Sequence, residues 1–115
     1  MTKEQLRNYK DIKKEQHQIE QRLRNLEKRP ECDQETLRPL RECYTQKLEA
    51  LVAAQLEIER VIETLDPIER ELVRYRYIDG LDWHVVANRI SYSWQQTHRI
   101  HAKLLEKIKN IRTSC

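Results

Sequence analysis

Two long stretches of this chain carry apolar residues at alternating steps of three and four, which commits both to helices that each present one narrow face. Leu6, Tyr9, Ile12, Gln16, Ile19, Leu23 and Leu26 advance by 3, 3, 4, 3, 4 and 3, the recurrence of a single stripe on a helix of 3.6 residues per turn. The spacing predicts a helix from Thr2 to Lys28. Between the stripe positions the residues are charged or amide, as on a helix that packs against one partner. Leu37, Leu40, Tyr44, Leu48, Leu51, Gln55, Ile58, Ile62 and Leu65 then advance by 3, 4, 4, 3, 4, 3, 4 and 3, a second helix of the same kind.

The break between them is Arg29-Pro30-Glu31-Cys32-Asp33-Gln34. Pro30 cannot continue the hydrogen-bond ladder, and Asp33 can open the next helix. Pro39 is tolerated in a first turn, which puts the expected start of the second helix near Leu37 or Arg38. A short connection between long helices with matching stripes predicts an antiparallel, coiled-coil-like hairpin over residues 1–65. Val52, Ala53, Ala54 and Val61 widen the second stripe, so the hairpin is expected to pack further, on the C-terminal part or on a second copy. A homodimer or higher oligomer is the expectation.

Composition agrees with an all-α class. Of 115 residues, 38% are apolar and 36% charged, with one glycine and no phenylalanine, which suits long wet helices and leaves little for a sheet-based core. No apolar run approaches the roughly 20 residues that span a bilayer, and the opening MTKEQLRNYK lacks the apolar stretch of a signal peptide. The expectation is a cytoplasmic protein without membrane contact. Cys32, Cys43 and Cys115 form no C-x-x-C pair and read as free thiols, with no metal and no cofactor implied. Glu15, His17 and Glu20 lie close in sequence, but on so charged a helix they read as solvated. Without a phosphate loop, carboxylate pair, nucleophile triad or metal cluster, an enzyme is not expected.

Charge divides the chain. Residues 1–65 hold 13 basic and 13 acidic side chains, residues 66–115 hold 9 and 6, so the whole excess is C-terminal. From Asn88 onward Arg89, Arg99, Lys103, Lys107, Lys109 and Arg112 face Glu106 alone. A local basic stripe of this kind suits phosphate, although basic residues near a helix C-terminus also complement its dipole.

The C-terminal part reads as three helices. Asp66-Pro67-Ile68-Glu69 supplies a cap, a proline at the first helical position and a glutamate at the third. Ile68, Leu72, Tyr75 and Ile78 give this first helix an inner face, and Asp79-Gly80 ends it with the one residue free to take a left-handed conformation. Asp82 caps a short helix, Trp83 to Ile90, with Val86, Ala87 and Ile90 inward. After the turn Ser91-Tyr92-Ser93, Ser93 caps a last helix from Trp94 to about Ile111, with Thr97, Ile100, Leu104 and Ile108 inward and His101 beside them. A short helix with a small central residue, a three-residue turn and a longer basic helix is the layout of a helix-turn-helix. Trp94, Gln95, Gln96, His98 and Arg99 then fall at or near the exposed leading end. Glutamine can pair with adenine and arginine with guanine, while Lys103 and Lys107 farther along suit phosphates. Solvated glutamines, and a Trp94 closing on Tyr92 or Trp83, are the plainer readings of the same residues. His98 and His101, three apart, read as packing residues, with His101 nearer the core.

The stretch LDPIERELVRYRYIDGLDWHVVANRISYSWQQTHRIHAKLLEKI, Leu65 to Ile108, resembles the fourth region of sigma-70-type factors, and more closely the small phage-encoded regulators of the ArpU and RinA type. LDPIERELVRYRYIDGLDW, VANRI, SYS and RIHAKLLEKI carry the likeness. It departs at Val85, where such sequences usually have glutamate, and at Thr97, where a valine usually packs. The resemblance implies a sigma-like helix-turn-helix module at 66–115 and a transcription regulator of a bacterium or prophage, with duplex DNA and RNA polymerase as partners. It places Ala87 at the close helix contact, Ser93 as cap, and Gln95, Gln96 and Arg99 on the DNA-facing side. Nothing resembles the promoter-melting region of a complete sigma factor. A small terminase subunit that recognises DNA for packaging, and a protein-binding adaptor built on the same module, are the alternatives.

Overall fold

The computed structural model describes residues 1–29 and 34–111. The break at Pro30–Asp33, with Cys32, and the tail holding Arg112 and Cys115 lie outside the described residues. Five α-helices follow in order: α1 (Lys3–Glu27), α2 (Gln34–Glu63), α3 (Pro67–Val73), α4 (Trp83–Ile90) and α5 (Trp94–Lys109), with a π-helical turn, Arg74–Ile78, continuing α3. No strand occurs among the described residues, and the chain is all-α.

α1 begins one residue later than expected because Thr2 caps it. The Gln5 side chain accepts from the Thr2 backbone N–H at 2.8 Å and the Thr2 hydroxyl accepts from the Gln5 N–H at 3.3 Å, a reciprocal arrangement that satisfies two otherwise open donors. α2 begins at Gln34, earlier than the expected Leu37 or Arg38, so Pro39 stands inside the helix. Lacking an N–H, it cannot donate to the Glu35 carbonyl. The apolar stripe starts only at Leu37, so it held no signal for the polar turn that precedes it.

Contacts divide the chain into two compact units. One consists of Asp11–Leu56. Here α1 and α2 run antiparallel, with Ile19 and Leu26 buried from α1. Gln16, 5% exposed, donates its side-chain amide to the Gln55 amide oxygen at 2.8 Å, and the Arg22 guanidinium lies over the Tyr44 ring at 5.9 Å. The two glutamines that interrupt the apolar stripes therefore meet each other, and a polar pair within such a seam favours one register over its neighbours. Val52, Ala53, Ala54 and Leu56 are exposed along α2, as is Leu40, and Cys43 is an exposed free thiol.

The other unit takes Met1–Lys10 together with the chain from Glu57 onward, so it joins 1–10 and 57–65, the outer ends of the expected hairpin, to the whole of the C-terminal module. Its core is Leu6, Tyr9, Ile58, Val61, Ile62 and Leu65 from the long helices and Leu72, Val73, Tyr77, Val86, Ala87, Ile90, Leu104 and Ile108 from the rest. The Tyr9 hydroxyl donates to Glu59 at 2.6 Å, and the Met1 amino group donates to the Ile108 carbonyl at 2.8 Å. α3, α4 and α5 touch one another pairwise.

The inner face of α3 departs from expectation. Leu72, Val73 and Tyr77 are buried, while Ile68, Tyr75 and Ile78 are only half-buried. The inner face thus runs through Leu72, Val73 and Tyr77, one step round the helix from the expected one, and at its end a π turn sends the Asp79 N–H back five residues to the Arg74 carbonyl at 2.8 Å. Gly80 then takes φ +70° and ends the segment.

Candidate nucleic-acid interface

The turn between α4 and α5 is fixed by backbone and cap chemistry at every step. Asp82 accepts from the Trp83 N–H at 2.9 Å at the start of α4. At its end Ser91 adopts φ 64°, ψ 37°, a left-handed conformation that glycine ordinarily supplies, and the Tyr92 N–H closes on the Ala87 carbonyl at 3.1 Å. Ser93 caps α5, its hydroxyl accepting from the Gln96 N–H at 3.1 Å while the Gln96 side chain accepts from the Ser93 N–H at 3.1 Å. Thr97 is fully buried, and its hydroxyl donates to the Ser93 carbonyl at 2.8 Å. A threonine can therefore stand where an apolar residue would pack, because its one polar group is satisfied within the helix.

The outer face of α5 carries Gln95, Arg99 and Lys103 at steps of four, all exposed. Among the described residues neither Arg99 nor Lys103 has a carboxylate within ion-pair distance. Gln95, Arg99 and Lys103 thus form one exposed strip whose two cations have no counter-charge among the described residues.

The other expected contact residues are placed differently. Gln96 is exposed, but its amide oxygen is held by the cap, so it lacks the free acceptor that a two-point contact with adenine needs. Lys107 lies at the edge of the strip, paired with Glu69 at 2.9 Å and Asp66 at 3.6 Å. The hydrogen bond to Glu69 raises its pKa above the ordinary lysine value. It ties α5 to the start of α3, where Glu69 also accepts from the Asp66 N–H at 2.9 Å. Lys103 borders an open apolar groove lined by Pro67, Ile68, Tyr92 and Ile100.

His98 is half-buried, on the side of α5 facing α4, and not at an exposed leading end. Its ring lies 4.5 Å from Trp83 and 4.0 Å from Trp94, centroid to centroid, and its buried Nε2 has no hydrogen-bond partner among the described residues. Trp94 remains 49% exposed and lies against His98, with His84 at 6.4 Å. Deeper along the same edge, His101 sits 4.6 Å from Trp83 and shares a 2.6 Å hydrogen bond with the Tyr77 hydroxyl. Burial, reinforced by Lys3, His98, Arg76 and Arg7, lowers the His101 pKa from 6.5 to about 4, so its imidazole is neutral near pH 7. Burial also raises the Tyr77 pKa. This aromatic–histidine column was visible in the sequence only as the recurrence of Trp94, His98 and His101 along one helix edge. Its link to Tyr77, 24 positions from His101 in sequence, had no local signal.

No known family model, curated protein or solved structure matches this chain. The all-α architecture and the arrangement of α4 and α5 are what bear on its function.

Proposed function

We propose that the chain binds duplex DNA through the outer face of α5, as a transcription regulator of phage or prophage type built on a sigma-like helix-turn-helix. The observation that carries this reading is the exposed strip of Gln95, Arg99 and Lys103 on a helix whose first turn is locked by a reciprocal cap. A preorganised helix with unneutralised cations beside an amide loses little on entering a major groove. Gln95 and Arg99 are the base readers in this reading, Lys103 a phosphate contact, and Trp94 an exposed flank. Gln96 and His98 act indirectly, by holding the turn and packing its side, and Lys107 reaches a phosphate only by leaving Glu69. A second copy of the chain, or RNA polymerase, would meet the exposed Val52, Ala53, Ala54 and Leu56 of α2.

The test is duplex binding over a salt series, run with the mass of the protein in solution. Affinity should fall steeply with salt, and Lys103→Gln should reduce the magnitude of the logarithmic salt slope by about one while weakening all sequences alike. Arg99→Gln should cost about 1–3 kcal/mol and blur preference at one base position. Duplex binding unchanged in the Arg99→Gln, Lys103→Gln double variant would refute the assignment to α5. No binding at low salt would favour the adaptor, and a ring of many subunits the packaging protein.

A further inference from the structure

A second basic cluster lies away from the α5 strip. Arg7 and Lys10 of α1 and Arg76 of the π turn line an open pocket of about 250 Å³ with Tyr77 and Gly80. No carboxylate lies within ion-pair distance of any of the three cations among the described residues, although Asp79 and Asp82 are near in sequence. Arg76 is held in place: one nitrogen donates to the Leu81 carbonyl at 2.9 Å and the guanidinium lies over Trp83 at 4.7 Å. Gly80 is the floor. A Cβ built there would fall on the Lys10 ammonium, so the absent side chain is what lets that cation sit against the backbone. Three cations line one open pocket without a counter-charge among the described residues, and an anion between them would supply it.

From this geometry we propose that the Arg7–Lys10–Arg76 pocket binds a small free phosphoryl anion, of the size of phosphate or diphosphate. Two guanidinium groups offer forked donors matched to phosphoryl oxygens and the lysine adds a point charge, a donor set suited to a multiply charged oxyanion. The volume is below that of pockets that enclose drug-sized ligands, which selects a small anion. A DNA backbone bound by the α5 strip is the wrong source. His101, beside the pocket through Tyr77, and Arg99, on the strip, are two residues apart and about 200° apart around the helix. The proposal therefore stands independently of the DNA-binding reading.

The experiment is calorimetric titration of the full chain with inorganic phosphate and with pyrophosphate at matched ionic strength, alongside amide and imidazole NMR. Saturable binding of one anion per chain is expected, with shifts at Gly80 and His101. His101 faces Tyr77 and Arg76 from the π turn, His98 on its own helix and Lys3 and Arg7 from α1. A bound anion offsets those cations and should raise its titration midpoint. The Arg7→Gln, Lys10→Gln variant, altered at two exposed positions, should bind at least about tenfold more weakly with unchanged helical content, and Arg99→Gln, Lys103→Gln should bind as the parent does. Absence of saturable binding, or undiminished binding in the Arg7→Gln, Lys10→Gln variant, would overturn the proposal. So would loss of duplex affinity in that variant without any binding of free phosphate, which would assign the cluster to DNA.

Discussion

His101→Gln should remove a specific part of the acid sensitivity of this protein. In the folded chain His101 is 7% exposed and its imidazole takes a proton only near pH 4, whereas in the unfolded chain it does so near the ordinary value of about 6.5. Between those values the unfolded state binds a proton that the folded state does not. The penalty is therefore absent above about pH 6.5, grows as the pH falls, and levels off once the folded site protonates near pH 4. The gap from 6.5 to about 4, at about 1.4 kcal/mol per pH unit, sets a ceiling of about 3–4 kcal/mol. Solvent at the margins of the cluster screens its cationic neighbours Lys3, Arg76 and Arg7, and a loss of about 2 kcal/mol is expected. Glutamine can still bond the Tyr77 hydroxyl but does not titrate. Urea unfolding of both proteins at intervals from about pH 7 to pH 4.5 reads the difference, because carboxylates titrate equally in each. Parallel stability profiles across that interval, or an NMR midpoint for His101 above about pH 6 in the parent protein, would refute the reasoning.

Ser91→Gly should raise stability by about 0.5–1 kcal/mol, measured by urea unfolding, because the left-handed conformation at φ 64° strains a residue with a Cβ; an unchanged or lower midpoint would count against that strain. For Gln16 and Gln55, a double-mutant cycle through Leu should return a coupling of about 1 kcal/mol, the double variant losing less than the two single losses added. Strict additivity would mean that the 2.8 Å bond contributes nothing to pairing.

What the sequence made legible was what depends on periodicity and on caps. The stripe from Leu6 to Leu26 lies inward as expected, with Leu6, Tyr9, Gln16, Ile19 and Leu26 buried, since a narrow apolar face has one way to leave water. Asp82 and Ser93 stand at the starts of their helices, because cap chemistry is local. Three features were not legible because they arise from tertiary placement. On α3 the expected inner face was placed on Ile68, Leu72, Tyr75 and Ile78, so Val73 and Tyr77, four apart and both buried, escaped the predicted core. The exposed Val52, Ala53 and Ala54 widened a stripe that the described contacts leave uncovered. At the candidate interface, exposure of Gln95, Arg99 and Lys103 followed from helix phase alone. The commitments of Gln96 to Ser93, Lys107 to Glu69 and His98 to two tryptophans involve partners that phase does not reveal. The Arg7–Lys10–Arg76 pocket joins residues nearly 70 positions apart, beyond the reach of any local pattern.

The π turn also bears on ancestry. A turn of this kind is an α-helix holding one surplus residue, and here the surplus falls within Arg74–Ile78. Such a residue can be lost with the helix closing over the gap into an ordinary α ladder. Among descendants of a common ancestor, then, the length difference to look for is a single missing position inside this helix, where aligners least expect an indel.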